Sequence, residues 1–147
     1  MELSIKKIAV VIAGIQLDTC LAETSNLTAR GSWSVRYVAC AESKQWSLYS
    51  DGTVDVKRPA TRAEVVGLIL EAFQVPMQQW SGSGSLFIDV DASTQYTPAI
   101  VTAVLNGIIT GYADANGNLT GAFGPQNPIN RAELAKMLSI ALQKYGS

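Results

Sequence analysis

Two tetrapeptides in this sequence combine groups that can do chemistry: Thr61-Arg62-Ala63-Glu64 and Asn130-Arg131-Ala132-Glu133. Each has the form of a capping box placed directly before an apolar helical stripe. The Thr or Asn side chain accepts from the amide of the glutamate, and the glutamate reaches back to the amide of the cap. Capping therefore accounts for Thr61, Asn130, Glu64 and Glu133 as structural residues. It does not account for Arg62 and Arg131. A cation in the first turn opposes the helix macrodipole at about 0.3–1 kcal/mol. A bound anion would compensate, because exposed amides, dipole and guanidinium fork would all face one carboxylate or phosphate. Chance placement at two sites is the alternative.

Other chemistries are largely excluded. The chain has no histidine, which removes the Ser-His-Asp and Cys-His systems and the common zinc sites. Asp114-Ala-Asn116-Gly-Asn118 resembles the opening of a calcium loop, but Pro125 stands where the closing glutamate belongs, so it reads as a tight turn. No metal or cofactor is expected. No carboxylate pair stands out for glycoside cleavage, so an enzyme is not expected either. Eleven basic and twelve acidic residues give a net charge of −1, without the basic stripe of a nucleic-acid binder. The apolar run Ile8 to Ile15 is too short to span a bilayer. Nearly half of the 147 residues are apolar and 16% are charged, enough for a buried core. The two cysteines, Cys20 and Cys40, fit a disulfide in an oxidising compartment or two buried thiols equally well.

The elements that must position these groups occur twice. Trp33 aligns with Tyr96 and Tyr49 with Tyr112 at one spacing; Arg62 aligns with Arg131 at a longer one. The extra residues fall in the Asn- and Gly-rich loop after Tyr112, where an insertion costs least. Each copy begins with a helix, roughly Ser34 to Lys44 or Pro98 to Asn106, and continues through a turn-rich loop into a second helix. Leu134, Met137, Leu138, Ala141, Leu142 and Tyr145 form one apolar stripe of the last helix. Val65 to Phe73 is apolar on most faces and should be enclosed. Ser81 to Ser85 reads as a linker. The N-terminal stretch has two readings: a secretory h-region behind Lys6 and Lys7, or a helix ending at Ala13-Gly14-Ile15. The helix is preferred.

At this point the residues resemble a known family. Phe87-Ile-Asp89-Val, Tyr96, Gly107-Ile-Ile-Thr-Gly111-Tyr112, Phe123-Gly-Pro125 and Ile129-Asn-Arg131-Ala-Glu133 closely resemble one complete S-layer homology motif. Trp33 to Phe73 looks like a second. Met1 to Ile15 is similar to the closing helix of a third, with Glu2 about where its arginine should be. The resemblance implies an all-α, mainly helical fold: a pseudo-threefold arrangement of helix-loop-helix motifs around a central helix bundle, the first motif truncated. The corresponding segments are 1–22, 23–80 and 81–147.

The resemblance also implies a function. Such modules are non-catalytic and anchor secreted proteins at the bacterial cell surface by binding wall polysaccharide, often an anionic, pyruvylated polymer. Carried over residue by residue, it makes Arg62, Arg131 and Asp89 the first ligand-binding candidates. Thr61, Asn130, Trp33, Tyr96, Gly52 and Gly117 follow. Departures are that no F-x-D precedes Trp33, and that Gln45 and Leu48 replace glycines. Trp33 and Tyr96 read first as core anchors and second as sugar platforms; Asp89 has the alternative of capping a turn. The competing function is a structural envelope protein that binds itself or another envelope protein through uncovered helix faces.

Overall fold

A computed structural model of the chain describes residues 2–14, 24–31, 34–78 and 87–146. Within them the secondary structure is helical: α1 (Ile5–Ala13), α2 (Val35–Ser43), α3 (Arg62–Ala72), α4 (Thr97–Leu105) and α5 (Arg131–Tyr145). An all-α fold is thus observed. No helix among the described residues is long and apolar enough to cross a membrane. The chain divides into two compact units, Met1–Ala60 and Thr61–Ser147. The expected linker at Ser81 to Ser85 falls outside the described residues.

In the first unit α1 packs on α2. Ile5, Ile8, Ala9, Ile12 and Ala13 bury one face of α1, the spacing of an amphipathic helix. Ser4 caps it by accepting from the Lys7 amide. Ile5 therefore holds the first helical position, the one Arg62 and Arg131 hold in α3 and α5. The sequence comparison had set Glu2 there; the cap moves the register, and the position is apolar and fully buried. Cys40, inside α2, is disulfide-bonded. Cys20 lies outside the described residues.

The loop before α2 is tied down by polar groups. Glu42 accepts from the Thr24 hydroxyl, from the Ser25 hydroxyl and from the Ser25 and Asn26 amides. Buried Asn26 donates from its side chain to the Val54 carbonyl at 2.8 Å and accepts from the Thr28 amide at 2.9 Å. Helix α2 ends at Lys44, after which Gln45 adopts φ 57°. Gly107 takes the same position after α4, at φ 73°. Where the sequence lacks the glycine, the structure keeps the left-handed turn and carries it on glutamine, a strain on the order of 1 kcal/mol.

In the second unit α3 packs on both α4 and α5. Its capping box starts the helix at Arg62, as the Thr61-Arg62-Ala63-Glu64 pattern leads one to expect. Nearly every residue of α3 is buried, as its all-round apolarity requires. Gly67 stands in its interior although glycine costs about 1 kcal/mol there relative to alanine. The reason is Tyr96, the N-cap of α4, whose ring lies so close that a Cβ on Gly67 would be 2.5 Å from Cδ1. On α5 Leu134, Met137 and Ala141 are buried, but Leu142 is 41% exposed. The stripe read from sequence is therefore only partly covered, because nothing among the described residues lies over its Leu138–Leu142 side.

Two outcomes follow from this packing. Gly67→Ala destabilises the protein by about 1–3 kcal/mol in urea melts despite its better helix propensity, since the methyl collides with an aromatic ring. For Glu42, burial alone pushes the carboxyl up, but the hydrogen bonds from Ser25, Thr24 and the loop amides together hold it below the ordinary value. A depressed carboxyl stabilises above its unfolded pKa and stops doing so as pH falls through the folded value. Wild type therefore loses stability on acidification more steeply than Glu42→Gln, as thermal melts between neutral pH and pH ~3 will show.

Candidate functional site

Arg62 opens α3, yet its side chain is buried, 4% exposed for the residue as a whole. Burying a guanidinium requires partners for both its charge and its donors, and three elements provide them. Nη1 pairs with Glu133 Oε2 from the first turn of α5. Nε donates to the Phe123 carbonyl at 2.7 Å. The Tyr112 and Phe123 rings face the cation with centroids 4.4 and 4.7 Å from Cζ, within cation–π range. Glu133 thus does two jobs with two oxygens: Oε1 accepts from the Asn130 amide to close the capping box, and Oε2 neutralises Arg62.

The loop facing Arg62 is held from behind. Asp89 Oδ1 and Oδ2 accept from the Phe123 and Gly124 amides at 2.9 and 2.8 Å. Phe87 stacks on Phe123 with centroids 5.5 Å apart. Gly124 is obligatory: a Cβ there would lie 2.5 Å from the Tyr112 ring. Asp89 therefore acts on Arg62 at one remove, by fixing the carbonyl that receives Nε. In the first unit Asn26 grips Val54 by the same logic, with a donor in place of an acceptor. The F-x-D segment missing from sequence has this polar counterpart.

Beside Arg62 lies a cavity of about 250 Å³. One wall is the strip Gly107 to Ala113, including Ile108, Ile109 and Tyr112; the other is α5, through Glu133, Lys136, Met137 and Ile140. Lys136 is exposed, and no hydrogen bond or ion pair engages it among the described residues. Arg62, Glu133 and Lys136 together carry one net positive charge, set in a mostly apolar slot. Such a slot can take a singly charged acid group attached to an apolar or sugar ring, with charge-assisted donors at one end.

The remaining sequence candidates distribute unevenly. Thr61 and Asn130 are caps, with the reciprocal bonds expected of them. Arg131 is exposed, engages no partner among the described residues, and lies outside the cavity. Tyr96 is spent on Gly67. Gly52, at φ 72°, sits tightly against the Ser25 side chain in the first unit, and Gly117, at φ 84°, is exposed with open space around it. Trp33 lies outside the described residues. Missed from sequence were Lys136, the second role of Glu133, and the stacking of Arg62 on Tyr112. Lys136 falls one helical turn after Glu133, a same-face spacing that would have found it. Asp114 Oδ1 accepts from the Asn116 and Asn118 amides, and no metal-ligating cluster occurs among the described residues.

Glu133→Gln tests the pair, since Gln preserves the capping box and removes only the charge. It should cost about 2–4 kcal/mol in urea melts by leaving Arg62 buried and uncompensated. Adding Arg62→Met to it should restore part of that loss.

Comparison with protein families gives a match to the S-layer homology domain over residues 86–135. A comparison with curated proteins gives no match. The matched stretch contains Asp89, Tyr112, Phe123 and Glu133, most of the structure around Arg62, and extends through the α5 capping box. Residues 86–135 of this chain are thus similar to the S-layer homology domain.

Proposed function

We propose that this chain is a non-catalytic anchor that binds an acidic cell-wall polysaccharide in the slot beside Arg62. S-layer homology domains in general are cell-wall anchoring modules that bind wall glycans. Support for the specific site comes foremost from one observation: a mostly apolar cavity of about 250 Å³ is lined by a buried guanidinium and by a lysine that has no partner among the described residues. A carboxylate on a sugar, such as a pyruvate ketal, supplies the missing negative charge and a ring for the Ile and Met wall. In this reading Arg62, Tyr112 and Lys136 touch the ligand, Glu133 and Asp89 hold Arg62 and its loop, and Thr61 and Asn130 set the helix starts. Arg131 is a separate, solvent-facing cation.

We further assign 23–80 and 81–147 as two S-layer homology motifs and 1–22 as the closing helix of a third. The correspondence of Asn26 with Asp89 and of Gln45 with Gly107 supports this assignment. The disulfide at Cys40 fits an oxidising, extracytoplasmic location, which agrees with the cell-surface association that the domain implies.

Co-sedimentation with isolated bacterial walls tests the proposal. The protein should pellet with intact walls, pellet at least tenfold less with walls stripped of their secondary polysaccharide, and weaken with added salt. Lys136→Gln and Arg62→Gln, each verified as folded by circular dichroism, should each reduce binding at least fivefold. Undiminished binding by both variants would refute the site. No binding to any wall preparation would refute the function.

A further inference from the structure

We propose that the slot beside Arg62 has a second cationic position, Lys144 at the far end of α5, and that its ligand is a polysaccharide segment carrying two spaced acid groups. The inference rests on the glycan-binding reading above and names the class of polymer that reading leaves open.

Its basis is one face of α5. Glu133, Met137 and Ile140 line the slot, at steps of four and then three residues, the spacing that keeps side chains on one helix face. The next member of that series, four residues on, is Lys144. The opposite wall passes the helix in the reverse direction. Tyr112 stands at the helix start, on the Arg62 cation that pairs with Glu133. Gly107 stands at the helix end, where a Cβ would lie 4.0 Å from Lys144 Cε. The slot is therefore flanked by a cation at each end.

Lys144 is available for a ligand. It is exposed, and no hydrogen bond or ion pair engages it among the described residues. Its turn is held in place, because the ring of Tyr145 packs on that of Phe73, the C-cap of α3, with centroids 6.2 Å apart. Lys144 also stands at the negative end of the helix dipole, which favours a cation anywhere in the last turn. The dipole does not select the face that looks onto the slot.

The spacing describes the ligand. Lys136 and Lys144 are eight residues apart, about 12 Å of helix axis. Arg62, Lys136 and Lys144 against Glu133 give the groove two net positive charges. One carboxylate at the Arg62 end leaves the other unanswered, and an acid group farther along the same glycan answers it. Between the two ends the walls are Ile108, Met137 and Ile140. They suit the ring faces of uncharged sugars and penalise a charge. A polymer with an acid on every sugar therefore fits poorly, and so does a single terminal acid sugar.

Fragments of the wall polysaccharide test this. The polymer is released from the walls used for co-sedimentation, partly hydrolysed, and separated by charge into single-acid and two-acid pieces. By calorimetry the wild-type chain should bind two-acid pieces at least tenfold more tightly than single-acid ones. Lys144→Gln should narrow that preference at least fivefold, and Lys144→Arg should keep it. A lysine that serves only the helix dipole leaves the ratio unmoved. Equal affinity of wild type for both pieces, or a wild-type ratio in Lys144→Gln, overturns the second position while the Arg62 site stands. A polymer that holds the protein yet yields no two-acid piece overturns it as well. Binding of neither piece refutes the glycan reading itself.

Discussion

A guanidinium at the start of a helix stands at the wrong end of the dipole, and when it is also buried it can persist only if the surrounding chain neutralises it. The second unit is organised around that constraint. Glu133 must reach Arg62, so α5 must begin where its capping box lets one oxygen serve the helix and the other the charge. Phe123 must present its carbonyl, so the loop is pulled into place by Asp89 through two consecutive amides. Tyr112 must lie flat against the cation, so Gly124 has no side chain. Three segments distant in sequence meet because one charge would otherwise be stranded.

The same constraint explains why a slot exists. A fully matched ion pair in a closed core would leave no room for a ligand, and such pairs contribute little net stability. Here the partner Glu133 is itself partly open to solvent, and Lys136 adds a charge that no acidic side chain among the described residues answers. The pocket is therefore polarised toward anions although the chain as a whole is slightly acidic. Under the proposed function, local arrangement and not net charge would set the preference.

Much of the fold was legible in the sequence because helix starts have local causes. Caps, apolar periodicity and turn residues act within a few positions, so α2, α4 and α5 lie where periodicity put them, and both capping boxes form. The register of α1 was harder: Ser4 caps without a glutamate three residues on, so nothing marks Ile5 as the counterpart of the arginines. The site was legible only in part. Arg62 was found because it breaks a local electrostatic rule. Its partner was not, since Glu133 already had a sufficient local role and pairing across distant helices leaves no trace in spacing. The degree of cover over α5 was also beyond periodicity, which says which face is apolar but not what lies against it.

One consequence comes from the replacement of arginine by Ile5 in the first unit. There the Tyr49 hydroxyl donates to the Ile5 carbonyl, both residues are wholly buried, and the place that Arg62 fills in the second unit is apolar. The first unit therefore has no buried guanidinium at its helix start, and under the proposed function the charged slot of the second unit has no counterpart there. Under that proposal, tenacity on a wall would scale with how many such slots are tethered together, because multivalent gain needs a second competent contact within reach.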